Sequence, residues 1–167
     1  MMYKKHIAAG VPGLPIYSKL TSPELEQAVP TVHIKPDSYY ISQLVTSAGA
    51  GWLDQLEKVM ELLGKEKMGV LLKVSYKSRT AFHAACGKNQ IAVMDFIYST
   101  FGYDLEKNCG SGVTPLFSAV ASQSKEAAVW LLRHGAKKDR PAKCGLSPID
   151  VAVERNLSEM LNILNAY

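Results

Sequence analysis

The side chains able to do acid–base, nucleophilic or metal chemistry are few and scattered. Of the four histidines, His6, His33, His83 and His134, none has an acid and a nucleophile placed as a catalytic triad requires. None shares a metal-ligand spacing with a second donor either. His134 falls near a predicted helix end, where a partial positive charge complements the dipole. The cysteines, Cys86, Cys109 and Cys144, are odd in number and contain no Cys-x-x-Cys, which supports neither a disulfide framework nor a zinc site. Cys109 and Cys144 lie close to Lys107 and Lys143, which could lower a thiol pKa; the simpler reading makes them turn residues. Gly49-Ala-Gly51 lacks the Gly-Lys-Ser/Thr that completes a phosphate loop. Glu57, Glu61 and Glu66, interleaved with Lys58 and Lys65, read as a solvated, ion-paired helix face. No constellation for catalysis emerges, and the sequence predicts a non-enzymatic protein with no cofactor and no metal.

The elements that carry these residues are set by patterning. The 167 residues are 47% apolar and 20% charged, the make-up of an ordinary globular chain rather than a fibrous or disordered one. That length suits one domain, or one domain plus an arm. No apolar run reaches the 18 or so residues of a membrane span. The start, Met1 to Gly10, has too short an apolar stretch for a secretory signal. A mitochondrial transit peptide is compatible with the lack of acids before Glu24 and opposed by the lack of arginine. A soluble protein of a reducing, intracellular compartment, the cytoplasm, is the expectation.

Five of the eight prolines, Pro12, Pro15, Pro23, Pro30 and Pro36, fall within residues 1–38. Each fixes its own φ and biases its predecessor toward extended geometry. Ser22-Pro-Glu-Leu-Glu26 has the signals of a short helix start. The remainder reads as an extended arm. It is a disordered tail or a strap held by a partner through Tyr3, Ile7, Leu14, Ile16, Tyr17, Leu25, Val32 and Ile34, and the strap is the reading taken.

From residue 39 to 167 the chain repeats itself. Thr80-Ala-Phe-His-Ala-Ala-Cys86 aligns with Thr114-Pro-Leu-Phe-Ser-Ala-Val120 and Ser147-Pro-Ile-Asp-Val-Ala-Val153, at offsets of 34 and 33. A second apolar helical run follows each, near Ile91 to Tyr98, Ala127 to Leu132 and Met160 to Leu164. Gly102 and Gly135 close the first two units, 33 residues apart. A degenerate first unit places a helix around Ser42 to Ala48, a turn at Gly51-Trp52 and a second helix from Leu53 to Leu63. The spacing of 38 from Ser42 to Thr80 leaves extra residues to accommodate near Gly64 to Gly69. Thr80, Thr114 and Ser147 can cap helices, with Pro115 and Pro148 at the first helical position. Small residues Ala84, Ala85, Ala119 and Ala152 permit close approach of neighbouring helices. A unit of this size buries its apolar face only by stacking.

These residues resemble the ankyrin repeat, whose helix-turn-helix unit opens with Thr-Pro-Leu-His and closes with Gly-Ala-Asp. The resemblance covers roughly residues 40–167. It implies an all-α solenoid of about four repeats, the first degenerate, preceded by the arm. It implies that His83, at the motif's histidine, fixes a turn by hydrogen bonding, that Cys86 is a small core residue, and that Trp130 replaces a core leucine. It further implies that the turns between units project as hairpin fingers, which line the binding face together with the first helices.

The charge of those fingers is the informative feature. They hold Lys73, Lys77, Arg79, Lys107, Lys137, Lys138, Arg140 and Lys143 against Asp104, Glu106 and Asp139, a net of +5 where the whole chain carries +4. Such a stripe steers and holds an acidic partner. Tyr76 in a finger and Trp52 at an inter-helix turn are of the aromatic types that anchor interfaces. The first finger has Lys77-Ser78 where the family has Asp-Gly, which leaves its shape open. The partner-binding residues expected are therefore Trp52, Tyr76 and the eight bases. The basic excess is too small and dispersed for a dedicated nucleic-acid binder. The expected role is a structural subunit of a larger assembly, gripping an acidic protein surface such as a cytoskeletal lattice. The alternative is a freestanding adaptor that binds an acidic protein or peptide transiently.

Overall fold

Three helices begin in the same manner. Thr80, Thr114 and Ser147 are extended residues whose hydroxyl oxygens accept the backbone N–H three positions on, from His83, Phe117 and Asp150. At Ser147 the Asp150 carboxylate returns a bond to the Ser147 N–H at 2.8 Å, completing a capping box. Pro115 and Pro148 open their helices, where a missing N–H costs nothing. The hydroxyl–proline signals therefore mark true helix starts.

The computed structural model describes residues 35–167. The arm anchors from Tyr3 to Ile34, the short helix expected at 22–26, His6 and His33 lie outside the described residues. Nine helices are present among the described residues: α1 (Asp37–Ala50), α2 (Leu53–Leu63), α3 (Lys65–Leu71), α4 (Ala81–Gly87), α5 (Ile91–Phe101), α6 (Pro115–Ala121), α7 (Lys125–Arg133), α8 (Pro148–Glu154) and α9 (Ser158–Ala166). They contain no strand beyond one isolated bridge, Tyr76 to Arg79. None of these helices is long and apolar enough to cross a membrane. Helix α1 opens at Asp37, so Asp37 and Ser38, expected at the end of the arm, form its first turn.

The helices pair as α1/α2, α4/α5, α6/α7 and α8/α9, and the pairs stack. The first helices α1, α4, α6 and α8 pack in one row, with the second helices against them. Ala85, Ala119 and Ala152 are fully buried along that row, and Ala84 nearly so, which lets the helices sit close. Leu44, Leu56, Met68, Phe82, Met94, Ile97, Leu116, Leu131 and Leu164 fill the continuous core. Trp130 is buried, donates its indole N–H to Asp95 Oδ1 at 2.7 Å and stacks on His134 at 3.8 Å.

The first unit differs from the others in the residue at its inter-helix turn, Gly51 where the later units place Asn89, Gln123 and Asn156 in the same left-handed region, and in an extra helix. Its inter-helix turn uses Gly51 in the left-handed region (φ 79°), and a Cβ there would strike the Gln90 side chain of the next unit's turn. The extra residues after α2 form α3, which inserts Met68 and Leu71 into the core. The insertion is thus a packed helix.

Candidate functional site

The fingers start from backbone hydrogen bonding. In the first, Tyr76 and Arg79 exchange both backbone bonds, at 2.8 and 3.1 Å, around Lys77-Ser78. Both turn residues have positive φ, 48° and 66°, the requirement of the tight hairpin turn that matches strand twist. The missing Asp-Gly pair therefore does not abolish the hairpin; Lys77 and Ser78 adopt its geometry. Lys77 Nζ lies 5.5 Å from the centre of the Tyr76 ring. The second finger turns at 109–112, with the Cys109 N–H bonded to Val113 O at 3.1 Å and the Gly112 N–H to Cys109 O at 2.8 Å. The third repeats this geometry, with Ala142 N–H to Leu146 O and Gly145 N–H to Ala142 O, both 2.9 Å.

Sideways bonds join the three into one ridge. Ser111 N–H donates to Ser78 O at 3.2 Å, Gly110 N–H to Ser75 Oγ at 2.9 Å, and Lys143 N–H to Gly112 O at 3.0 Å. His83 ties the ridge to the helices. Its Nε2 lies 3.0 Å from Val113 O, at the base of the second finger, and its Nδ1 lies 2.7 Å from Thr80 Oγ1. Burial lowers its pKa to about 4; the Val113 and Lys107 carbonyls oppose the shift and the Arg79 charge adds to it. The turn-fixing role expected of His83 is what its contacts show.

The expected partner-binding residues divide into three groups. Lys73, Lys77, Arg79, Lys107, Lys137 and Lys143 are exposed, and Tyr76 is half-buried beneath Lys77. Lys138 and Arg140 are engaged within the fold. Lys138 Nζ donates to Leu164 O at 2.6 Å near the C-terminal end of α9, and Arg140 Nη1 meets Glu106 Oε2 at 3.1 Å. Trp52 is 60% exposed but stands elsewhere. It belongs to the α1–α2 turn, level with the Gln90 turn, while the fingers precede the opposite ends of the first helices. It overlooks a shallow depression of about 480 Å³ lined by Gly51, Leu53, Asp54, Gln55 and Lys58. The ridge and Trp52 are separate surfaces.

Glu106 and Asn89 were not singled out by sequence reasoning. Glu106 accepts the Lys137 N–H at 2.8 Å as well as pairing with Arg140, one unit further on. Asn89, at φ 59°, accepts the Ala127 N–H at 2.8 Å and donates to Glu126, clamping the start of α7. The signal available for both was spacing, since each partner lies about one repeat away. Among the cysteines, Cys86 is fully buried and its thiol pKa is pushed up by that burial. Cys109 is buried with its sulfur 3.0 Å from Ser111 Oγ, and Cys144 is exposed. No group of three metal-ligating side chains comes together among the described residues.

A family model of ankyrin repeats, in three copies, matches residues 47–142, more than half of the chain. The matched span runs from the end of α1 to the start of the third finger and contains the His83 contacts, the sideways bonds between the first and second fingers and the α4–α6 stack. The chain belongs to the ankyrin-repeat family, and its fold is that of a protein–protein interaction module.

Proposed function

We propose that this protein is a non-enzymatic structural subunit of a larger assembly, which grips an acidic protein surface with its basic fingers and a second surface with its N-terminal arm, the residues before α1. One observation carries the reading: Lys73, Lys77, Arg79, Lys107, Lys137 and Lys143 are exposed on a hydrogen-bonded ridge, and none pairs with a carboxylate among the described residues. Cations held on a cross-bonded backbone lose little freedom on binding, because only their side chains remain to be ordered. Their field also speeds encounter with a negative surface and weakens as salt rises.

The test is charge reversal on the ridge alone. Lys77→Glu, Lys107→Glu and Lys143→Glu, combined in the full chain, should leave the thermal unfolding midpoint within a few degrees of the parent. The same variant should lose at least tenfold of the partner recovered with the tagged protein from its native cells at low salt. Recovery at the parental level, with an intact fold, would contradict the reading. Lys138 and Arg140 are poor choices for this test, since their reversal breaks the bonds to Leu164 and Glu106.

A further inference from the structure

At each junction of the stack, the inter-helix turn of one unit meets the start of the next unit's second helix. Each turn places a residue of positive φ two positions before its own second helix: Gly51, Asn89, Gln123 and Asn156. Gly51 abuts the Gln90 side chain just before α5, and Gln123 lines one depression with Ser158, Glu159 and Met160 of α9. The middle junction is a bonded clamp. The Asn89 side-chain oxygen accepts the Ala127 N–H at 2.8 Å, and its amide nitrogen donates to the Glu126 carboxylate. Glu126 and Ala127 are the second and third residues of α7.

The two ends of the described stack hold the separate halves of such a clamp. At one end, Asn156 repeats Asn89 in residue type and backbone (φ 52° against 59°), is exposed, and has no described unit beyond it. At the other end, Asp54 and Gln55 are the second and third residues of α2, in the register of Glu126 and Ala127, with no described unit before them. Trp52 holds the place of Ser124, and it is 60% exposed where Ser124 is 7% exposed. The first helices complement each other in the same sense. Ala84 and Lys88 of α4 pack on Gly49 of α1. Their counterparts on α1 are Thr46 and Ala50, and the counterpart of Gly49 on α8 is Glu154, all three exposed. Thr46 and Ala50 are small enough to leave room for Glu154.

We propose that a second copy of this chain continues the stack head to tail: Asn156 of one copy clamps Asp54 and the Gln55 N–H of the next, beside Trp52, as Asn89 clamps Glu126 and the Ala127 N–H. Asp54 has no ion-pair partner among the described residues, and a hydrogen bond to a carboxylate is among the stronger kinds. Trp52 is of the residue type that most often dominates an interface. Val153, 57% exposed, gains the cover that Cys86 and Val120 have from the units that follow them. The contact joins unlike surfaces, so every added copy presents a fresh half-clamp, and growth continues unless a ring closes. This surface is separate from the fingers, and its failure would leave their reading standing.

Sedimentation velocity on the full chain, from micromolar to millimolar concentration, tests this. The parent should grow past a dimer as concentration rises. Asn156→Gly removes the amide and keeps the turn, since glycine accepts positive φ freely; Trp52→Ala removes the other half of the contact. Each variant alone should weaken self-association at least tenfold. An equal mixture of the two holds one intact junction per pair, so it should form dimers and nothing larger. Lys107→Glu, on the fingers, should associate as the parent does. A parent that stays monomeric throughout would overturn the proposal. Growth that neither variant weakens, or a mixture that forms no dimer, would overturn it as well. Loss in Trp52→Ala with none in Asn156→Gly would replace it by a symmetric contact through Trp52, and loss in Lys107→Glu would move the contact to the fingers.

Discussion

At the scale of the residue, His83 decides how the first full unit is held. The Val113 carbonyl can only accept, so Nε2 carries the proton and Nδ1 is the acceptor. Thr80 then donates to Nδ1, and its oxygen in turn receives the Tyr103 hydroxyl at 2.9 Å. Every donor in this chain has a single direction, and a second proton on the ring would reverse part of it. With a folded pKa of about 4 against 6.5 unfolded, the unfolded chain binds the extra proton between those values and the folded one does not. Linkage then makes stability rise with pH across that window. Stability should be fully present above about pH 7 and should fall by about 3 kcal/mol as the pH drops toward 4, at about 1.4 kcal/mol per pH unit. Urea denaturation at pH 7.5, 5.5 and 4.5 measures this, and His83→Asn should flatten the slope while lowering stability at pH 7.5. An unchanged slope in that variant would place the acid sensitivity elsewhere.

The same scale shows how far sequence reasoning reaches. His83, Cys86 and Trp130 were assigned correctly from their place in the repeat, because each role depends on the unit itself. Lys138 and Arg140 read from the sequence simply as ridge cations, yet both are bonded within the fold. A tally of charges cannot see that Arg140 and Glu106, 34 residues apart, become neighbours once the units stack.

At the scale of the element, packing between units outranks the character of any one helix. Val153 occupies the register of Cys86 and Val120, which are both 0% exposed, but Val153 is 57% exposed because no described helix follows α8/α9 in the stack. Arg155 reaches back to the Ala121 carbonyl at 3.1 Å, showing how the fourth unit closes over the end of α6. Val120→Ala should therefore cost about 2 kcal/mol, combining lost burial with a cavity. Val153→Ala should stay within about 0.5 kcal/mol of the parent. Chemical denaturation of the two variants checks the contrast, and equal costs would contradict the register. The sequence pattern gives the α3 segment only as an insertion, and local preference explains why. Gly69 within it disfavours a helix by about 1 kcal/mol relative to alanine. Burial of Met68 and Leu71 offsets that preference, and the ring of Phe101 stands where a Cβ on Gly69 would come within 3.2 Å. The second helix of that unit, Leu53–Leu63, needed no such tertiary information, because its apolar spacing marks one face.

At the scale of the whole molecule, the stack aligns what the chain separates. Finger residues about one repeat apart arrive side by side on one ridge, joined by the sideways finger bonds, and His83 ties that ridge to the helices behind it. The ridge and the Trp52 surface lie at opposite ends of the first helices, so a partner gripping the fingers leaves Trp52 free for another contact. Composition alone foresaw a mildly basic protein; the repeat period concentrated that charge into the fingers. Which residues share a surface depended on the turn geometry, and Trp52 and Tyr76 separated for that reason.

The claim that the fingers bind a fixed protein neighbour is tested most directly by cross-linking mass spectrometry on the tagged full chain in its native cells. The account predicts reproducible links from Lys73, Lys77, Lys107 and Lys143 to acidic segments of the same few proteins, at near-stoichiometric recovery. Links confined to Lys58, Lys88 and Lys125, with the finger lysines unlinked to any other protein, would contradict it.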